Sequence, residues 1–179
     1  MRNSRLHKLI FLAMMIALDV VLSPLFRVEG MAPMSSVMNV LAAMVMGPFY
    51  ATIMAVVCGV IRMTLLGIPP LALTGAVFGA LLAGVCYRVR PSAWSAMLGE
   101  TIGTGIIGSL LSYPVMVWFT GNASDFYWFI YTPRFLGAAV MGSLVAWLIW
   151  KKAQNISVLK TTQRLYQGGS HGVIQKTQR

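Results

Sequence analysis

The chain has 179 residues, of which 58% are hydrophobic and only 10% are charged, and its mean hydropathy is +0.75. Soluble domains carry roughly 25% charged residues, so this composition excludes a water-soluble enzyme, a disordered regulator and a disulfide-stapled secreted module. The net charge of +10 lies mostly in the two terminal segments, where basic residues set membrane orientation and contact lipid headgroups. We therefore expect an integral membrane protein whose partners include the lipid bilayer and no nucleic acid.

Apolar runs separated by Gly, Pro and charged residues predict an all-α fold with six transmembrane helices in one bundle. A spanning helix needs about 20 mostly apolar residues, and only the second run is clearly shorter than this. The predicted helices cover residues 9–26, 35–46, 49–66, 71–87, 93–119 and 126–150. The first is read as a retained helix, because it is long for a signal peptide and lacks a small-residue cleavage site.

The chain divides into three parts by charge and hydropathy. Residues 1–8 form a basic amino terminus, residues 9–150 the membrane domain, and residues 151–179 a polar, basic tail without apolar periodicity, which predicts flexibility. Basic residues favour the cytoplasmic side, and an even number of helices leaves both ends on one side. Both termini are therefore predicted to be cytoplasmic, together with Arg2, Arg5, Lys8, Arg88, Arg90, Lys151 and Lys152.

Small residues recur at helical spacing and predict close helix contacts. The fourth to sixth helices carry such stripes, for example Gly99 with Gly103 and Ala138 with Gly142, which indicate packing within the bundle. In the first helix, Ala13 and Ala17 share one face. For this pair, packing inside the bundle and docking of a partner helix both stay open.

Several polar side chains fall within the outer half of the predicted bundle. A charge at membrane depth costs at least about 2.5–3.5 kcal/mol, so it usually faces a cavity or a partner. Arg62, Arg134, Asn39 and Tyr113 converge on one level, near the aromatic residues Trp128 and Tyr131. Aromatic walls with a few polar groups are typical of small-molecule sites, although the aromatic residues could also form an interfacial belt and Arg62 could extend to the headgroups.

Two carboxylates lie deeper in the predicted bundle. Glu100 shares a helix face with Thr104, and either a structural role or a role in ligand binding is open. Asp19 lies in the middle of the first helix, and the sequence shows no partner that would decide its role.

Motifs for catalysis and for nucleotide or metal binding are missing from the sequence. It contains no Walker A loop, no Gly-x-Ser-x-Gly turn and no cluster of metal-ligating residues. The two histidines, His7 and His171, lie near the ends of the chain, and Cys58 and Cys86 lie within apolar runs. We therefore predict that the protein is not an enzyme and has no metal or cofactor. Uphill transport would need an ion gradient or an energising partner.

Three segments resemble one family of small membrane proteins. Residues 36–50, from Ser36 through Asn39 and Gly47-Pro48 to Tyr50, are similar to the junction of the second and third helices of the ThiW family. Residues 98–108 and 112–115 resemble its fifth helix, and residues 23–26 and Arg62 also fit. The six short helices and Ala13/Ala17 are similar to the substrate-binding S components of energy-coupling factor (ECF) transporters, which are bacterial vitamin importers.

The resemblance implies a binding subunit for hydroxyethylthiazole, the thiazole precursor of thiamine, or for a related precursor. It implies docking of Ala13 and Ala17 onto a transmembrane coupling subunit, with two ATPase subunits as the energy source. The expected ligand-binding residues are Asn39, Arg62, Glu100, Thr104, Tyr113, Trp128, Tyr131 and Arg134. The alternative is a stand-alone, ion-coupled secondary carrier of a small organic solute, with Asp19 or Glu100 as its proton site.

Overall fold

A computed structural model describes residues 2–27, 31–121 and 127–167, including all side chains in these ranges except those of residues 2–4, 120 and 127–130. This part of the chain is all-helical, as predicted. The elements are α1 (Arg2–Leu25), α2 (Pro33–Leu66), α3 (Leu71–Val89), α4 (Ala93–Glu100), a π-helical segment (Thr101–Gly108), α5 (Ser109–Thr120), α6 (Tyr127–Ala153) and α7 (Ser157–Gln167). Five helical stretches of the described chain are long and apolar enough to cross a membrane, against six predicted helices.

The difference in number arises because α2 reverses its direction at Gly47. This residue has φ 78° and ψ 179°, a conformation essentially restricted to glycine, and the next residue, Pro48, has no amide hydrogen to continue the helix. The two ends of α2 therefore meet. Nη2 of Arg62 donates a hydrogen bond of 3.3 Å to Oγ of Ser35, 27 residues away, whereas a straight helix would separate these residues by about 40 Å. The two halves correspond to the second and third predicted helices, and the predicted break at Gly47-Pro48 is confirmed.

Glycines bring α3 into backbone contact with the helical run that follows it. A Cβ atom on Gly103 would collide with the backbone at Phe78 and Gly79, and one on Gly108 would collide with Gly75. Such contacts are possible only where no side chain intervenes. The close packing predicted from the small residues of these helices is therefore confirmed.

The small-residue faces of α6 and α1 differ in what covers them. In α6, Ala138 and Ala146 are buried, and a Cβ on Gly142 would collide with the backbone at Pro33. In α1, Ala13 and Ala17 are exposed, within an apolar surface that includes Met14, which is 55% exposed. Within the described chain, the α1 stripe therefore packs against no other helix of the bundle.

Helix α7 is an element that the sequence analysis missed, because residues 157–167 lie in the segment predicted to be a flexible tail. Leu159 and Tyr166 of α7 pack against the main hydrophobic core. Together with Thr162 and Gln163 they recur at helical spacing and are half-buried, so an amphipathic pattern is present in the tail and was overlooked among its polar residues.

Candidate ligand-binding site

A cavity of about 640 Å³, open solvent at its mouth included, lies at the end of the bundle where α1 ends and α2 begins. Side chains from α1, α2, α3, the π-helical segment and α6 line it. Apolar lining residues include Leu71, Ala76 and Phe135, and polar ones include Asn39 and Arg62. An apolar wall with few polar groups is the general form of a site for a small organic molecule.

The buried Arg62 guanidinium forms part of the cavity wall. Nη2 lies 3.5 Å from Oδ2 of Asp19 in an ion pair whose side chains are 3% and 0% exposed. Nε donates a 3.2 Å hydrogen bond to the Cys58 carbonyl, and the Ser23 hydroxyl donates to the second Asp19 oxygen. Because a buried charge without a counter-charge is costly, this pair holds the Arg62 side chain beside the cavity and links α1 to α2.

Asn39 presents an unpaired acceptor at the base of the cavity. Its Nδ2 donates hydrogen bonds of 3.1 Å to the Ala76 carbonyl and 3.3 Å to Oε1 of Glu100. Asn39 is 1% exposed and lines the cavity, and its Oδ1 has no partner among the described residues. Since buried polar atoms are usually satisfied, Oδ1 can accept a hydrogen bond from a bound molecule.

Thr104 and Glu100 continue the hydrogen-bond network of Asn39. Thr104 lines the cavity, and Glu100 lies behind its wall. The Thr104 hydroxyl lies 2.8 Å from Oε1 of Glu100 and 3.0 Å from the Gly75 carbonyl. Thr104 belongs to the π-helical segment, a type of distortion that often occurs at functional sites. Gly79 leaves the space that the Glu100 carboxylate occupies, because a Cβ there would collide with it.

The structure brings together four of the eight predicted ligand-binding residues. Asn39, Arg62, Thr104 and Arg134 line the cavity, with Arg134 exposed, and Glu100 contacts two of them without lining it. Tyr113 and Tyr131 are half-buried and do not line the cavity, and their role in ligand binding stays a prediction. The Trp128 side chain lies outside the described residues.

The sequence analysis missed the serines that contribute to the site, namely Ser23, Ser35 and Ser36. Serine is common at helix contacts in membranes, so these positions carried no distinguishing signal. Arg27, just after the end of α1, also lines the cavity and was not predicted from the sequence as a site residue. No group of three or more potential metal ligands occurs in the parts of the chain that the structure describes.

A sequence profile for the thiamine-precursor transporter protein (ThiW) matches residues 9–156 of this chain. The chain belongs to the ThiW family. The match takes in nearly all of the apolar helical stretches, so this ThiW-family chain is a multi-pass membrane protein with a transporter role. Comparisons with curated proteins and with solved structures found no match.

Proposed function

We propose that this ThiW-family chain is the S component of an ECF-type vitamin importer and that its cavity captures hydroxyethylthiazole. The observation that carries the proposal is the mixed cavity, in which Asn39 Oδ1 lacks a partner and Arg62 lies beside apolar walls. A heteroaromatic ring with one hydroxyl group needs this combination of apolar contact and a few hydrogen-bonding groups.

Each polar side chain then has a role in holding the ligand. Asn39 accepts a hydrogen bond from the ligand hydroxyl, while Arg134 donates one to the ring nitrogen. The Thr104 hydroxyl, whose single hydrogen is donated within the chain, holds the Glu100 carboxylate that bonds Asn39. Arg62 and Glu100 position these groups and close the polar end of the site. Trp128 and Tyr131 are proposed to stack on the ring, and Tyr113 to supply a further hydrogen bond.

The exposed Ala13/Ala17 face is proposed as the surface that docks onto a transmembrane coupling subunit, with two ATPase subunits as the energy source. Small residues let a partner helix approach closely, and in this chain the other small-residue stripes are already used for internal packing. The proposed topology has six crossings, with the two halves of α2 counted separately and both termini in the cytoplasm. The cavity then opens to the outside.

Ligand binding can be tested by tryptophan fluorescence of the purified protein in detergent, with hydroxyethylthiazole, thiamine and the pyrimidine precursor as titrants. We expect saturable binding of the thiazole alone. Thr104→Val should weaken it about tenfold, because loss of a hydrogen bond of about 1–1.5 kcal/mol leaves Glu100, and the Asn39 amide bonded to it, less firmly placed. Thr101→Val is the matched control, because the Thr101 hydroxyl only donates to the Met97 carbonyl of its own helix at 2.9 Å. Equal effects of the two variants, or no thiazole binding, would contradict the ligand assignment.

Partner docking needs a separate experiment. Ala13→Leu with Ala17→Leu should abolish co-purification with the coupling subunit while leaving thiazole binding intact, because these residues lie away from the cavity. Val140→Leu with Val145→Leu enlarges two exposed side chains of α6, which are 45% and 44% exposed, and should have no effect. Loss of the complex in both double variants would argue against a specific docking face.

One observation favours the ion-coupled carrier as a second candidate. Oε2 of Glu100 is buried and has no partner among the described residues, as a proton-binding group at membrane depth could be. Uptake that collapses with a protonophore while ATP is held constant would support this candidate. Uptake that depends on the coupling and ATPase subunits would exclude it.

A further inference from the structure

A second concave surface lies at the opposite end of the bundle and is unrelated to the ligand cavity. This groove, about 880 Å³ with its open mouth included, is bordered by the beginning of α1, the turn of α2, the end of α3 and α7. Its polar side chains are those of Lys8, Tyr50, Tyr87, Arg88, Tyr166 and Gln167. The transport proposal assigns no role to it.

The turn of α2 at Gly47 forms one border of the groove. The same turn leaves one backbone carbonyl of α2 without its helical partner. The Met44 carbonyl would normally accept from the amide of residue 48, but Pro48 has no amide hydrogen. The side-chain amides of Gln163 and Gln167 in α7 both lie 2.8 Å from this carbonyl and donate to it. Buried carbonyls need a partner, so these two glutamines attach α7 beside the turn and make it one wall of the groove.

Tyr166 attaches the same wall to α1. Its hydroxyl donates to the Lys8 carbonyl, and burial raises the pKa of Tyr166 to about 12, so the donor hydrogen stays in place at neutral pH. The Tyr166 ring packs edge-on against Tyr50 with 4.8 Å between the ring centroids. The wall is therefore built from specific contacts rather than from a loosely placed tail.

The charge around the groove has only one sign. Lys8 Nζ lies 5.6 Å from the centroid of the Tyr166 ring and 6.0 Å from that of Tyr50, which keeps the ammonium group at the groove. Arg88, in the last turn of α3, supplies a second cation. The four acidic residues of the whole chain are Asp19, Glu29, Glu100 and Asp125, and none lies in the segments that form the groove.

Apolar surface continues directly from these cations. Phe49 lines the groove and is 69% exposed, next to the hydroxyl-bearing rings of Tyr50 and Tyr166. A molecule that contacts both the two cations and this apolar surface carries an anionic phosphate and a hydrocarbon chain. Basic pockets between membrane helices bind lipid headgroups in this way.

We infer that the groove between α1, the α2 turn, α3 and α7 is a binding site for the headgroup of an anionic phospholipid. Lys8 and Arg88 bind the phosphate, the hydroxyls of Tyr50 and Tyr87 donate hydrogen bonds to it, and an acyl chain lies along Phe49. A phosphate is better held by two cations and several donors than by charge alone.

Native mass spectrometry of the full chain in neutral detergent tests the inference, with phosphatidylglycerol and phosphatidylcholine of identical acyl chains as probes. We expect one phosphatidylglycerol to be retained in preference to phosphatidylcholine. The double variant Lys8→Gln/Arg88→Gln should lower its retention at least fivefold. The matched control, Lys152→Gln/Lys160→Gln, removes the same charge from two exposed residues outside the groove and should retain the lipid.

Three results would overturn the inference. Equal losses in the two double variants would indicate diffuse attraction to basic residues, and equal retention of the two lipids would remove the requirement for an anionic headgroup. Displacement of the lipid by millimolar inorganic phosphate would assign the groove to a free oxyanion. If Lys8→Gln/Arg88→Gln does not fold, Gln163→Ala/Gln167→Ala replaces it, since loss of the α7 wall should also release the lipid.

Discussion

At the scale of single residues, the buried pair of Asp19 and Arg62 joins the helix that carries the exposed small-residue face to the wall of the ligand cavity. The distance between Arg62 Nη2 and Asp19 Oδ2 is 3.5 Å, and both side chains are almost fully buried. Any movement of α1 relative to α2 must therefore break or carry with it a contact at the cavity wall. The ion pair therefore connects the proposed docking face of α1 with the wall of the proposed ligand cavity.

The pair should behave as a coupled unit in unfolding experiments. Asp19→Asn and Arg62→Gln each leave one partner without its counter-charge and should lower the free energy of unfolding by about 3–5 kcal/mol. The double variant should lose clearly less than the sum, which a double-mutant cycle on the detergent-solubilised protein measures. Ser143→Ala is a suitable control, because Ser143 is buried without a hydrogen-bond partner among the described residues. Strict additivity of the two substitutions would show that the ion pair does not form.

Candidate site residues could be predicted from the sequence because polar side chains are costly to place in a membrane. Asn39, Arg62, Thr104 and Arg134 stood out in apolar surroundings, and all four line the cavity. Asp19 stood out equally, but its partner lies 43 residues away, and one sequence without the fold contains no sign of that pairing. Tyr113 and Tyr131 were placed by depth alone, and depth does not say which way a helix face points.

At the scale of elements, the fold depends on how the chain turns at Gly47. Gly-Pro at the end of an apolar run was visible in the sequence, and the structure confirms the break. The π-helical segment was not predictable, because a wide helical turn follows from packing contacts, here the close approach of α3, rather than from local preference. Helix α7 was missed although Leu159 and Tyr166 are spaced for one helix face, because several of the contacts that hold it are made by polar residues, such as the two glutamines that bond the Met44 carbonyl.

Substitutions at Gly47 and Gly67 compare the turn within α2 with an ordinary helix end. An added Cβ would meet no atom within 4 Å at either Gly47 or Gly67, so only backbone conformation is at stake. Gly47→Ala forces alanine into the glycine-only region and should cost about 3 kcal/mol of unfolding free energy. Gly67→Ala, at φ 61° and ψ 23°, enters the left-handed helical region and should cost about 1 kcal/mol. Thermal unfolding of the two variants measures the difference, and equal midpoints would contradict the backbone argument.

At the scale of the whole molecule, the two concave surfaces occupy opposite ends of the bundle. The ligand cavity includes the end of α1 and both ends of α2, while the groove includes the beginning of α1 and the turn in the middle of α2. Composition predicted the membrane environment and the helical class. It could not predict that the two halves of α2 return so closely that the Arg62 guanidinium reaches the Ser35 hydroxyl.

The arrangement predicts which side of the membrane each end faces. In a background with Cys58→Ala and Cys86→Ala, single cysteines at Arg5 and Lys160 should react with a membrane-impermeant maleimide only after cells are permeabilised. A cysteine at Trp118, where the original side chain is 87% exposed, should react in intact cells. Labelling of residues 5 and 160 from opposite sides would exclude six crossings.

The π-helical segment also determines how the sequence can change length. A π-helical turn holds about one residue more than an α-helical turn, because its hydrogen bonds join residues five rather than four apart. Removing one residue from 101–108 while the wide turns became ordinary ones would therefore leave α5 close to its present orientation, and Ser112, whose hydroxyl lies 2.8 Å from that of Thr74, would still face α3. The same deletion inside an ordinary α-helix such as α3 would turn everything after it by about 100°, so the π-helical segment is the place where this spanning helix loses a residue without a change of register.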